Sequence, residues 1–277
     1  MFLIFDTETT GLPKRWDAPL TDSDNWPRCI QIAWQVHDSN GQCLSHEDFL
    51  IKPDGFKIPY DSEKIHGIST ELADKDGVSL EEVITKFKSV LKDCKFICGH
   101  NVKFDLNILG AEFYRVESNN PIEGFPVIDT CTEETASFCL LPGGRGGRYK
   151  LPTLSELHQS LFNSEFQEAH NATADVEATS RCLFELFRLK IINPEALRNY
   201  EDIKIGLSES LTSQVEPLGI KHRDLKKASS KLIKNQSKEN VESVSFDLKK
   251  SNLNDVPFIH LHTHSQFSVL QSTSRLS

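Results

Sequence analysis

No stretch of the chain approaches the ~18 consecutive apolar residues that a membrane-spanning helix needs, although 38% of its 277 residues are hydrophobic. The opening run Met1–Phe5 is apolar, but Asp6 and Glu8 cut it short and no basic segment precedes it, so it does not read as a signal peptide. Cysteine pairs of the metal-binding kind, separated by two residues, are also missing. The seven cysteines are an odd number scattered among apolar runs, which reads as free thiols in a reducing compartment. These absences point to a cytoplasmic protein with no membrane partner. Nor is positive charge in excess: 31 Lys and Arg stand against 40 Asp and Glu, a net charge of -9. The chain is therefore no basic coat held to nucleic acid by bulk charge, and any nucleic-acid site must be local. A Gly-Lys-Ser/Thr phosphate loop is absent. Gly143-Gly-Arg145-Gly-Gly-Arg148-Tyr-Lys150 does gather glycines and cations, and it either grips phosphates or is a plain mobile loop.

What is present divides along the chain. Residues 1–200 hold 31 of the 40 acids, and from Tyr200 to about Asp255 Ser, Lys, Asn and Glu dominate with no sustained period. The sequence predicts an α/β domain over 1–200, a linker over 201–256 with room for a short helix near 221–234, and a separate segment over 257–277. Within the domain, Phe2–Phe5 suits a strand buried on both faces. Ile30–Val36 and Cys43–Ile51 read as two further strands joined by a turn, so the sheet starts as a meander. Phe96–Cys98 and Val127–Ile128 look like short buried strands, each followed by a helical pattern, over 102–115 and 132–140. Further helices are expected over 80–91, from the capping box Thr153-Leu-Ser-Glu156 to about 162, and over 173–190.

Four carboxylates stand where apolar residues are expected. Strand alternation puts Asp6 and Glu8 on one face, directly after the most buried run in the chain; the bland alternative is a strand that ends at solvent. Asp105 precedes Ile108, Leu109 and Phe113 by three, four and eight residues, so it belongs to the core-facing stripe of its helix. Asp175 precedes Thr179, Cys182, Leu183 and Leu186 by four, seven, eight and eleven residues, which again places an acid in the apolar stripe. Either Asp alone could be a first-turn acid stabilised by the helix dipole. Four converging acids, each costing several kcal/mol if left ionised and unpaired away from water, imply an opposing charge of similar size. Oxygen-only ligation favours Mg²⁺ or Mn²⁺, and shared carboxylates can hold two ions ~3.5–4 Å apart, as in displacement at phosphorus. His170, five residues before Asp175, is either a cap or surface residue or a general base of suitable pKa.

Together these residues resemble the DEDDh exonucleases, a group that includes the proofreading subunit of bacterial DNA polymerase III. The motifs stand here as Phe5-Asp6-Thr-Glu8-Thr-Thr-Gly11, Gly99-His100-Asn101-Val-Lys-Phe104-Asp105 and His170-Asn-Ala-Thr-Ala-Asp175, with supporting segments at Lys64-Ile-His66-Gly-Ile68 and Ile128-Asp129-Thr130. The resemblance implies a ribonuclease H-like α/β fold, a mixed five-stranded sheet flanked by helices, followed by a flexible C-terminal tail. It implies that Asp6, Glu8, Asp105 and Asp175 bind two Mg²⁺ or Mn²⁺ ions, that His170 is the general base, and that Thr10, Leu12, His66, Asn101 and Phe104 bind the terminal nucleotide. The implied activity is 3′→5′ removal of nucleotides from a single-stranded or frayed DNA end. An exoribonuclease of the same group and an inactive binding scaffold are the alternatives. Phe258-Ile-His-Leu-His262-Thr-His264 is similar to the start of the PHP domain of polymerase III alpha subunits. That order implies a proofreader fused to a replicative polymerase and truncated here, with the polymerase core and sliding clamp as partners. The loop 12–29 is longer than a simple strand connection; its Arg15 or Trp16 contacts the substrate strand, or the loop merely packs on the surface.

Overall fold

Phe2–Phe5 offers no polar side chain to either face, and in the computed structural model it opens the central strand β1, Phe2–Thr9. The sheet has the order β3-β2-β1-β4-β5, with β2 Cys29–His37, β3 Cys43–Leu50, β4 Phe96–Gly99 and β5 Val127–Asp129. β2 and β3 join β1 as an antiparallel meander, and β4 and β5 run parallel to it. The mixed five-stranded sheet flanked by helices is the architecture expected from the sequence. The structure describes residues 1–164, 166, 171–193, 211, 213–220 and 222–242, with side chains to Lys234 in the last stretch. Two compact units divide the chain, Met1–Gln236 and Ser237–Ser277, and the features below belong to the first. The histidine-rich segment 258–264 lies outside the described residues, as does most of the expected tail.

The period-two pattern of β1 sorts its side chains between two cores. Leu3 and Phe5 pack with Val83, Phe87, Ile108 and Phe113, from α3 (Leu80–Leu91) and α4 (Lys103–Glu117). Phe2 and Ile4 pack on the opposite face with Val176, Leu183 and Phe184, from α7 (Ala172–Arg188). The even-numbered residues that follow, Asp6 and Glu8, thus look towards α7. Two short helices were not legible in the sequence, α1 Tyr60–His66 and α2 Thr70–Asp76. Each is only seven residues long, too short for a hydrophobic period to stand out. Gly67 closes α1 at φ 79°, a left-handed conformation that glycine adopts freely. The remaining helices of the domain are α5 (Glu133–Cys139) and α6 (Leu154–Phe162), the latter opened by the expected capping box of Thr153 and Glu156. Among the described residues no helix is long and apolar enough to cross a membrane.

The stretch expected to be a linker is, through its described part, bonded to the domain. Buried acids of α7 receive it: Gln214 donates to Glu185 at 3.2 Å and the Leu218 N–H to Glu177 at 2.8 Å. It continues into α8, Leu225–Glu242, whose Leu225, Ala228 and Leu232 join Ile30, Ile58, Ile68 and Leu72. Ser229 is buried between Gly67 and Ser69; its hydroxyl donates to the Gly67 carbonyl at 2.7 Å and accepts the Ser69 N–H at 3.0 Å. Few apolar residues suffice here because buried acceptors on α7 and one serine supply the rest, a complementarity no local pattern displays. Ser229→Ala leaves two buried backbone groups unpaired and is expected to destabilise the protein by about 1–3 kcal/mol. A urea melt of the full chain checks this, and an unchanged midpoint contradicts the docking.

Candidate active site

The site forms where the sheet opens. β1 pairs with β4 only through Ile4, opposite Cys98, so the backbone of Asp6, Thr7 and Glu8 runs past its parallel neighbour. The chain leaves β4 at Gly99, where any Cβ would lie 2.6 Å from Val102, and turns sharply into α4. Asp129 at the end of β5 holds that turn, accepting the N–H groups of Asn101 at 2.8 Å and Val102 at 3.1 Å. The first turn of α4 thereby comes to lie beside Thr7. Asp105 accepts both the Thr7 N–H, at 3.1 Å, and its hydroxyl, at 2.6 Å.

α7 is delivered from the other face. Gln31, paired with Glu8 across β1 and β2, accepts the Ala172 N–H at 3.3 Å and donates to Asn171 at 3.4 Å. Asn171 caps the helix through the Thr173 N–H at 3.2 Å. Asp175, in the first turn, then meets β1: one oxygen each of Asp6, Glu8 and Asp175 lie within 4.8 Å of one another. Asp105 stands on the far side of β1, bonded to Thr7 and close enough to Asp6 to repel it.

Burial raises three of these carboxylates, and neighbouring acids add to it at Asp6 and Glu8. Burial first, then the charges of Asp105, Asp175 and Glu8, push Asp6 well above the usual carboxylate range. Burial followed by Asp175 and Asp105 pushes Glu8 from 4.5 to about 8. Asp105 is pushed by burial from 3.8 to about 7 despite the stabilising bonds from Thr7. Among the described residues no Lys or Arg pairs with Asp6 or Glu8. A half-buried cluster of hard oxygen donors, two of them with no paired Lys or Arg among the described residues, fits a divalent cation.

The remaining expected residues are placed unevenly. His170 lies outside the described residues. Asn101 is exposed, with a left-handed backbone at φ 55°. Leu12 is 72% exposed, and the Thr10 hydroxyl accepts the Arg28 N–H at 2.9 Å. Phe104 is half-buried in the first turn of α4. His66, at the end of α1, is buried, and its Nδ1 accepts the Ile68 N–H at 3.0 Å. His100 is no candidate base: burial lowers it to about 4, and its ring bridges Thr130 at 2.9 Å and the Pro152 carbonyl at 3.0 Å. In the Gly-rich loop two of three cations are engaged, Arg148 with Glu133 and Lys150 with Glu156 at 2.6 Å. Sequence reasoning missed Thr7, Gln31 and Asp129 as positioning residues. Gln31 carried one signal, a polar residue inside the apolar run Ile30–Val36, and Asp129 another, its place in the supporting segment Ile128-Asp129-Thr130.

The fold and the carboxylate cluster define a nuclease-type site of the ribonuclease H-like class. The chain belongs to the exonuclease family whose RNase_T sequence model matches residues 3–183. It is 29% identical over 186 residues to a PolC-type DNA polymerase III of Pediococcus pentosaceus, covering 66% of this chain and 11% of that protein. It is likewise 29% identical over 188 residues to the 3′–5′ exonuclease DinG of Bacillus subtilis, covering 67% and 17%. The chain thus spans a small part of the length of the curated relatives it matches. A solved structure of exonuclease I is similar at 25% identity and a TM-score of 0.54. A zinc-bound complex of E. coli exonuclease I with single-stranded DNA matches at 26% and 0.53; each covers 68% of this chain and 40% of its own.

Proposed function

We propose that the chain is a 3′→5′ exonuclease acting on single-stranded or frayed DNA ends, in a proofreading role. The observation that carries this is the convergence of Asp6, Glu8 and Asp175 within 4.8 Å, on a scaffold of the exonuclease family and beside a fourth acid held by Thr7. Asp6, Glu8, Asp105 and Asp175 would hold two Mg²⁺ or Mn²⁺ ions. When bound, such ions supply Lewis acidity at the scissile phosphate and charge stabilisation for the leaving 3′ oxygen. The chain's own groups do the rest. His170 takes the proton of the attacking water; Thr10, Leu12, Asn101, Phe104 and His66 bind and orient the terminal nucleotide; Thr7 and Gln31 keep the two helix N-termini at β1.

The proposed division is an exonuclease domain over 1–200, a connecting segment over 201–256 and a segment over 257–277 that resembles the start of a PHP domain. The similarity to PolC-type polymerases supports a replicase setting for the exonuclease domain; a polymerase III core and sliding clamp are the proposed partners, in the cytoplasm. Digestion of end-labelled DNA and RNA oligomers tests the reading. DNA should shorten from its 3′ end with Mg²⁺ or Mn²⁺ and remain intact in EDTA. Faster cleavage of RNA would favour the ribonuclease alternative, and no cleavage of either would favour a binding scaffold. His170→Ala is expected to retain metal binding and to lose turnover by roughly a hundredfold or more. Calorimetric Mn²⁺ titration alongside kinetics separates the two effects; wild-type turnover near pH 7 would remove His170 from the base role.

A further inference from the structure

Of the chain's three tryptophans, Trp26 and Trp34 are buried, at 3% and 0% exposure, whereas Trp16 is 60% exposed. The loop that carries it is nevertheless firmly built. Asn25, itself buried, spans the backbone of Arg15, accepting its N–H at 2.8 Å and donating to its carbonyl at 2.9 Å. The Trp26 ring N–H donates to the Pro19 carbonyl at 3.0 Å, and Arg115 of α4 donates to the Ser23 and Trp26 carbonyls at 2.8 and 2.7 Å. Arg115 is in turn paired with the buried Glu112, which also holds Arg28 and the Cys29 N–H. α4 thus anchors the loop at several points, and the residue next to its most tightly held backbone is a large aromatic left in water.

The position of that ring is specific. Its centroid lies 5.9 Å from that of Phe104, inclined by 54°, and Phe104 immediately precedes Asp105. Leu12, an apolar side chain of the same loop that is 72% exposed, follows the strand that carries Asp6 and Glu8. A loop held at several points that keeps an aromatic face open, against the residue that precedes Asp105, has a use for that face. With the chain at a net charge of -9, bulk attraction for a polyanion is lacking. Stacking on a base is indifferent to charge and sequence.

Resting on the exonuclease reading, we propose that Trp16 is a stacking platform for a nucleobase of the substrate strand, and that it confers preference for unpaired over paired ends. A base inside a duplex has both faces occupied by its neighbours, so only a single strand or a frayed end can lay a base against the ring.

The test uses the full chain in EDTA, titrated with a short oligothymidylate while tryptophan emission is followed. Since Trp16 is the exposed indole, saturable quenching of the red edge is expected and should vanish in Trp16→Ala. With Mg²⁺ restored, Trp16→Ala should raise KM for the single strand by roughly tenfold, with the smaller part of the loss in kcat, and Trp16→Phe should recover most of it. An unchanged KM in Trp16→Ala, in a preparation that hydrolyses the oligomer, overturns the role of Trp16 and leaves the exonuclease reading standing. Saturable Trp16-dependent quenching by a protein that hydrolyses nothing upholds the contact and overturns the exonuclease reading.

Discussion

Asp6→Asn is expected to lower exonuclease turnover by roughly 10³- to 10⁴-fold while raising the melting temperature of the metal-free protein. The activity loss follows from the proposed role of Asp6 in holding the catalytic cations, a contribution of several kcal/mol to the barrier. The gain in stability follows from what surrounds the side chain. Asp6 is pushed far above the usual carboxylate range by burial and by the charges of Asp105, Asp175 and Glu8, and among the described residues no Lys or Arg pairs with it. In the unfolded chain the same carboxyl is ionised at neutral pH, so folding without metal must either bury the charge or bind a proton, and both are unfavourable. Asparagine keeps the shape and removes the charge. The effect should reverse when excess Mn²⁺ is added, because the wild type then gains binding free energy that the variant largely forgoes. Thermal melts of both proteins in EDTA and in Mn²⁺ check the crossing. A variant that melts lower than wild type in EDTA near pH 8, or that keeps activity within tenfold, would contradict the assignment.

The acids themselves were legible because they break the hydrophobic pattern: a strand with two carboxylates on one face, and two helices with an Asp in the apolar stripe. The strands were legible for the complementary reason, since Phe2–Phe5 and Phe96–Cys98 are apolar runs between polar breaks. What fixes the acids in space was not. Thr7 lies between Asp6 and Glu8 on the opposite face of the strand, and nothing local connects it to Asp105, 98 residues away. The Glu112, Arg28 and Arg115 group is similar: a buried Glu on α4 is locally an unfavourable choice, explained only when the loop it holds folds back onto it. Long-range polar pairs of this kind depend on tertiary geometry. α8 falls between the two cases: a short helix near 221–234 was expected and Leu225–Glu242 is helical, but its packing of Leu225, Ala228 and Leu232 against Ile30, Ile58, Ile68 and Leu72 was not.

Without metal, stability should fall as pH rises from about 5 to about 8, and divalent cations should abolish that fall. Glu8 moves from its ordinary 4.5 to about 8 and Asp105 from 3.8 to about 7. Both folded values lie above the unfolded ones, so the folded protein binds more protons than the unfolded chain throughout the interval between them. Stability contributed by these groups is therefore complete below about pH 4 and is lost as pH climbs through the folded values, at about 1.4 kcal/mol per pH unit for each retained proton. Across the window this amounts to several kcal/mol, a large part of the ~5–15 kcal/mol that holds a typical domain together. The direction is opposite to that of a salt-bridged carboxylate, whose contribution is lost on acidification. Bound cations favour the ionised forms, so metal binding near pH 6.5 should release protons, and the release should dwindle above about pH 8.5 as the acids ionise unaided. Urea melts at several pH values in EDTA and in Mn²⁺ measure the slope, and calorimetric titration in buffers of different ionisation enthalpy counts the protons. Asp6→Asn should flatten the EDTA slope, because it removes the proton that folded Asp6 itself retains across this window. If the metal-free wild type instead grows more stable between pH 5 and 8, the carboxylates are already compensated by positive charge within the protein, and the case for resident cations at this cluster fails.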